Sequence, residues 1–290
     1  MNKLSLKVSA KINLYLNVLA KRKDGYHEIE SVIQSISLYD QLIFRPLKSG
    51  EIKILCSHPQ VPLGPNNLSH QAAKLFLEVT GIKTGVEIRI QKNIPIRAGL
   101  GGGSADGAAT LFGLNKLFQT NIPQAHLLEW ASQLGADVPF FLVGGTALVR
   151  GKGERIHPLP SIKGGWLVLF YPAIPISTSW AYSLVQPGLT KKTLDDRLLE
   201  KKISQEGLAG MKNFLYNALE KVITKRFPHL EKAKFWMRER GAEGVLMSGS
   251  GSSIFGLVKN RSVGKLIFED LKKKGQAYLI QPVEKSIKEE

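Results

Sequence analysis

The chain has 290 residues and a formal net charge of +16, so two domains or lobes are expected, with anionic partners such as nucleotides, phosphorylated metabolites or nucleic acid, beside a basic solvated surface. Its composition, 43% hydrophobic and 22% charged, is ordinary for a globular protein with a sizeable core. No apolar run approaches the roughly 18 residues of a spanning helix, and the N-terminus lacks a leader pattern, so neither membrane association nor export is expected. Cys56 is the only cysteine, which excludes an intramolecular disulfide and a cysteine-based metal site and fits a reducing, cytoplasmic home.

Leu4 to Val8 and Ile12 to Val18 alternate apolar and polar residues, predicting strands with one buried face. Lys23-Asp24-Gly25-Tyr26 carries the Asp-Gly signal of a hairpin turn. Ile29 to Leu38 returns as a strand, and Gln41 to Leu47 with Glu51 to Cys56 reads as another pair. Asn67 can cap a helix over Leu68 to Thr80, ended by Gly81. Val86 to Gln91 is a strand. Helices follow from about Gly103 to Gln119 and from Pro123 to Leu134, with Gly135 past the second. Gly145 to Val149 closes this half, and the Gly/Pro-rich stretch Gly151 to Gly165 marks the boundary. The second half starts with the apolar strand Trp166 to Phe170. Helical segments are expected over Thr178 to Val185, Leu194 to Ile203 and Asn213 to Arg240, the last broken at Pro228. Short strands Gly244 to Met247 and Ile254 to Val258 flank Ser248-Gly249-Ser250-Gly251-Ser252. A helix over Val263 to Lys274 and a strand over Ala277 to Val283 finish the chain. The lysine runs Lys191 to Lys202 and Lys272 to Lys274 are interrupted, so they read as helix faces. The mixture is α+β in both halves.

The strongest local feature is Gly99-Leu100-Gly101-Gly102-Gly103-Ser104, preceded by Pro95. Each glycine costs about 1 kcal/mol against alanine in a helix, so their use lies elsewhere. Without Cβ atoms, successive N–H groups can converge on a phosphate, and the helix after the turn adds its unpaired first-turn N–H groups and its dipole. Ser104 adds a hydroxyl for phosphate or magnesium. No Gly-Lys-Ser/Thr follows, so this is not a Walker A loop. The acid about 20 residues on that a dinucleotide fold needs is missing. The alternative is a tight packing turn. The segment points to an ATP-dependent small-molecule kinase.

Other residues carry two readings each. Lys11 and Asn13 share one face of a strand, opposite Ile12 and Leu14, where a lysine is usually solvated. Asp137, among apolar neighbours, could serve as an N-cap. Tyr26 and His27 would be packing and surface residues of a hairpin, or a base-stacking and base-hydrogen-bonding pair. The remaining histidines show no metal-ligand spacing.

Three segments together resemble a known family. Ala10-Lys11-Ile12-Asn13-Leu14 resembles the first signature of the GHMP kinases, Pro95 to Ala105 their second, phosphate-binding signature, and Met247 to Ser253 their third. Asp24-Gly25-Tyr26-His27 and Gly135-Ala136-Asp137-Val138-Pro139-Phe140 look like the branch acting on a cytidine diphosphate-linked methylerythritol, as distinct from mevalonate, homoserine and galactose kinases. The resemblance implies a two-domain α+β fold. Residues 1–158 would be like the second domain of ribosomal protein S5 and residues 159–290 ferredoxin-like. It implies phosphoryl transfer from ATP, with Mg2+, to the substrate's tertiary 2-hydroxyl, a step of the non-mevalonate isoprenoid pathway. Asp137 would be the general base, and Lys11 would hold it ionised and orient the hydroxyl. Asn13 would position the erythritol part, while Tyr26, His27 and Tyr182 would hold the cytosine. Pro95 and the glycine turn would hold the ATP phosphates, and Asn67 would lie in the adenine-side loop. Arg97 stands where the family often has a small residue, and Ala105 where a second serine is common. A kinase of another small alcohol and a nucleic-acid-binding protein remain open as alternatives. The partners expected are the small-molecule substrate and ATP, not nucleic acid or membrane.

Overall fold

The computed structural model describes residues 2–185 and 194–290; Lys191 and Lys192, which open the first lysine run, lie outside them. The first half contains β1 (Leu4–Lys21), β2 (His27–Leu47), β3 (Ile52–Cys56), α1 (Leu68–Thr80), β4 (Gly85–Gln91), α2 (Gly102–Leu117), α3 (Gln124–Leu134), α4 (Val138–Val143), β5 (Thr146–Gly151) and β6 (Arg155–Pro158). The second contains β7 (Trp166–Tyr171), α5 (Thr178–Ser183), α6 (Asp196–Glu206), a 3-10 turn (Ala209–Phe214), β8 (Tyr216–Asn217), α7 (Glu220–Arg226), α8 (Pro228–Glu239), β9 (Ala242–Met247), β10 (Ile254–Val258), α9 (Arg261–Leu271), β11 (Gln276–Ile280) and β12 (Ile287–Glu289).

The eight-stranded sheet runs β12-β1-β2-β4-β3, with β5 on β2, β6 on β5 and β8 on β1. The four-stranded sheet runs β11-β7-β10-β9, antiparallel throughout. In chain order that is 4-1-3-2, with helices after its first and third strands, the ferredoxin-like arrangement expected.

The two alternating stretches at the N-terminus are one strand. Register shifts between Ser9 and Ala10 and between Asn13 and Tyr15 explain why they look separate. Such irregularities re-aim side chains. Leu4, Leu6 and Val8 enter the core beneath α1 and α2. Ala10, Ile12 and Leu14 enter a second core shared with β7 and β10. Leu16 and Val18 reach a third core with α7 and α8. A single strand therefore runs past all three cores, and Lys11 and Asn13 are 4% and 3% exposed rather than solvated.

The expected pairing of Gln41 to Leu47 with Glu51 to Cys56 does not form. Gln41 to Leu47 continues β2 and pairs antiparallel with β4, while β3 pairs parallel with β4. Asn67 caps α1 as expected, accepting from the Ser69 N–H at 2.8 Å, and Gly81 ends it at φ 70. Pro123 sits at the cap of α3 rather than in its first turn, and Gly135 is extended there. Sequence reading missed α4, β6, β8 and β12. The last is a lysine- and glutamate-rich tail whose Ile287 alone carries an apolar signal.

Candidate active site

One cavity of about 1040 Å3 lies between the two sheets' domains. It is lined by Lys11, Asn13, Tyr26, His27, Asn67, Pro95, Gly99 to Ser104, Asp137 and Tyr182, which brings together the residues expected to bind or react, while Ala105 and most of Met247 to Ser253 lie outside its lining.

The glycine turn enters α2 through backbone that L-residues avoid: Gly99 has φ 76 and Gly101 has φ 71. Gly101 stands at the cap of α2 and no side chain caps the first turn. Its N–H groups and dipole are left for a ligand. Leu100 is buried in the shared core, so only its backbone can serve the site. A Cβ on Gly99 would stand 2.2 Å from the Ser248 carbonyl, which shows how closely the second glycine turn lies over the first. Ser248 Oγ donates to the Gly99 carbonyl at 3.0 Å, and the Ser253 N–H donates to the Ala98 carbonyl at 3.2 Å. Asn217, flagged by no motif, ties this second turn down by donating to the Met247 and Gly249 carbonyls.

Arg97 begins the turn at φ 53. A left-handed conformation costs a non-glycine residue about 1–2 kcal/mol. Its carbonyl accepts from the Ile176 N–H at 3.1 Å.

Beside the glycine turn, whose Leu100 carbonyl accepts from the Lys11 N–H at 3.0 Å, Lys11 Nζ lies 3.4 Å from Asp137 Oδ2 and donates to Asn13 Oδ1 at 2.6 Å. Asn13 Nδ2 donates to Ser31 Oγ at 2.9 Å. Asp137 occupies the cap position of α4, yet its side chain makes no cap hydrogen bond. The structural role that its position suggested is not taken up. The carboxylate faces Lys11 instead and is 36% exposed.

At the far end, the His27 and Tyr182 rings lie 5.3 Å apart, tilted by 36°. Tyr26 is half exposed, with Lys152 Nζ 5.0 Å from its ring centroid. Burial, and then the Lys21 charge, push the His27 imidazole down from its usual value. Burial first, with Asp137 adding to it, pushes the Tyr182 phenol up. Asn67 lines the cavity, but its amide is committed to Ser69 and to the Pro62 carbonyl.

Beneath the turn lies a group the sequence reading missed. Lys92 Nζ bridges Asp40 and Asp106, at 2.7 Å from Asp106 Oδ2. All three are almost fully buried, and Asp106 Oδ1 has no hydrogen-bond partner. Asp40 Oδ1 accepts from the Asn93 and Ile94 N–H groups at 2.6 and 2.9 Å. A Cβ on Gly102 would stand 2.9 Å from Lys92 Nζ, so this bridge supports the turn directly. Burial pushes the Asp106 carboxyl up to about 8 against the pull of Lys92, and Asp40 adds to the rise. Asp40 and Asp106 together hold Lys92 above its usual value although burial opposes them.

A raised carboxyl means that the folded chain holds a proton the unfolded chain has lost. Asp106 therefore contributes stability below about pH 4 that is lost as pH rises towards 8. The thermal midpoint of the unsubstituted protein is expected to fall relative to that of Asp106→Asn between pH 5 and pH 8.5, buffer by buffer. Parallel curves would mean that Asp106 is ionised throughout.

The model of the GHMP kinases N terminal domain matches residues 67–145, and that of the GHMP kinases C terminal matches residues 195–277. The chain is 47% identical over 248 residues to a 4-diphosphocytidyl-2-C-methyl-D-erythritol kinase of Pelotomaculum thermopropionicum, covering 86% of each. It is 42% identical over 272 residues to the protein of that name from Acetivibrio thermocellus, covering 94% of this chain and 96% of the relative. A crystal structure of 4-(cytidine 5'-diphospho)-2C-methyl-D-erythritol kinase superposes with TM-score 0.83 at 36% identity, covering 96% of this chain and 99% of that one.

Proposed function

Because the chain belongs to the GHMP kinases, in their 4-diphosphocytidyl-2-C-methyl-D-erythritol kinase branch, we propose how its cavity carries out that branch's reaction. It phosphorylates 4-diphosphocytidyl-2-C-methyl-D-erythritol with ATP, a step of the non-mevalonate isoprenoid pathway. The observation that carries the residue assignments is the Lys11–Asp137 pair at 3.4 Å in the same cavity as the uncapped start of α2.

ATP enters with its phosphates on the glycine turn and the first N–H groups of α2. The substrate's 2-hydroxyl lies against Asp137. As its oxygen bonds to the γ-phosphorus, the bond to ADP breaks and the hydroxyl proton passes to Asp137. Lys11 orients the hydroxyl and the carboxylate. Phosphoryl transfer asks the protein mainly for such positioning and for charge neutralisation. Asn13 keeps an N–H for the erythritol part, since Ser31 takes one and Lys11 engages its oxygen. Tyr26 and Tyr182 offer ring faces to the cytosine. Burial and the Lys21 charge favour the neutral form of His27, whose ring can donate and accept at the cytosine's edge. Lys21 and Lys152 line that end and suit the diphosphate.

Magnesium fits as an ion carried in on the ATP phosphates. Among the described residues no cluster of three His, Cys, Asp or Glu could hold one alone. The Ser104 hydroxyl, without a hydrogen bond among those residues, would be its protein ligand, and the ion would neutralise phosphate charge. We propose a cytoplasmic enzyme with small-molecule partners only, supported by the lone Cys56. The domain division at 158/159 is also proposed; β8 and β12 then reach back from the second domain to pair with β1.

The test is ADP release with ATP and magnesium, with and without the cytidyl substrate. Release that depends on that substrate is expected. Release with mevalonate or homoserine instead would move the chain to another branch.

A further inference from the structure

We propose that Arg97 is a nucleotide-side residue whose guanidinium docks on the terminal phosphates of ATP. The inference rests on the reading of the cavity as a kinase site, and deepens it by naming the source of positive charge at its nucleotide end.

Between Pro95 and Asp106, Arg97 is the only cation. The turn itself therefore supplies N–H dipoles but no full charge. Two other cations of the cavity are already committed. Lys11 is engaged by Asp137 and Asn13, and Lys92 by Asp40 and Asp106. Lys21, paired with His27, and Lys152, over Tyr26, belong to the end assigned to the cytosine and its diphosphate. Arg97 lines the cavity, is exposed, and makes no side-chain hydrogen bond, ion pair or ring contact among the described residues.

Its backbone adds a second, independent observation. Arg97 is held in the left-handed region, where glycine would stand without strain. The conformation is imposed from outside, because the carbonyls of residues 97, 98 and 99 accept from Ile176, Ser253 and Ser248 in turn. Strain of this kind gathers at ligand sites, and the exposed Arg97 side chain has no partner among the described residues to account for it. The chemistry agrees: a guanidinium presents a planar fork of N–H donors that matches phosphate oxygens, and keeps its charge at every working pH.

The experiment compares the unsubstituted protein with Arg97→Gly and Arg97→Lys. Binding of ATP and of AMP is measured by calorimetry without the acceptor, beside steady-state kinetics and thermal midpoints. Arg97→Gly is expected to weaken ATP binding by about tenfold and to lower kcat. Its AMP binding and acceptor KM should stay unchanged, and its thermal midpoint should not fall, since glycine relieves the strain. Arg97→Lys should recover part of the loss. Normal ATP affinity and kcat in Arg97→Gly would overturn the proposal. So would a loss confined to the acceptor KM, or a loss accompanied by a lowered thermal midpoint. Should the unsubstituted protein bind ATP yet ignore the cytidyl substrate, the acceptor assignment fails while the binding series still decides Arg97.

Discussion

Asp137→Asn is expected to lower kcat by about 10²- to 10⁴-fold, the range a positioned general base contributes, while ATP binding stays close to normal. The reason is geometric. Asp137 sits 3.4 Å from Lys11, at the cap position of α4 but without a cap hydrogen bond. The amide keeps the shape and costs α4 no cap, but it cannot accept the proton of the 2-hydroxyl. The glycine turn and α2, which we propose hold ATP, keep their N–H groups in the variant, since Asp137 pairs with Lys11 and leaves the turn unchanged. Single-turnover measurement of phosphoryl transfer, with calorimetric ATP binding alongside, separates the two roles. Near-normal transfer in Asp137→Asn would show that the proton leaves late, as a loose transition state allows, and that Asp137 is only an electrostatic anchor.

Lys92→Met should give the largest loss of stability. It removes the one cation between two buried carboxylates, Asp40 and Asp106. Removing one partner of a buried ion pair costs about 3–5 kcal/mol, because the other charge stays behind. For a chain of this size that corresponds to a thermal midpoint lower by roughly 10 °C. The loss should extend to ATP affinity, since Gly102 packs against the Lys92 ammonium. The double variant Lys92→Met/Asp106→Asn should recover part of both, because it no longer leaves a second carboxyl to be neutralised. Thermal denaturation of the two variants side by side checks this. A Lys92→Met protein as stable as the unsubstituted one would mean that the carboxylates protonate at little cost, and that the bridge does not support the turn.

Much of the site was legible in the chain because its parts are short contiguous segments with special backbone needs. The glycine run before α2, the Asp-Gly hairpin at Asp24-Gly25 and the Asn67 cap each declare themselves within a few residues. The family signatures add Lys11, Asn13 and Asp137 to one site, although alone each reads as an ordinary surface or capping residue. The segments that failed have partners far away in sequence. Gln41 to Leu47 pairs with β4, not with its neighbour β3. The tail at Ile287–Glu289 finds β1 across nearly the whole chain.

The sequence by itself determined the α+β class and the glycine turn before α2, through local conformational preference and short spacing, while the candidate residues that line the cavity were drawn together by the family resemblance. Only the tertiary structure decided that Lys92, Asp40 and Asp106 form one buried bridge, that Asp137 faces Lys11 instead of capping α4, and that Arg97 is strained and unengaged. Each depends on the electrostatic and steric surroundings that distant segments create. A charged residue looks the same in a sequence whether water or another charge will face it, and burial settles which.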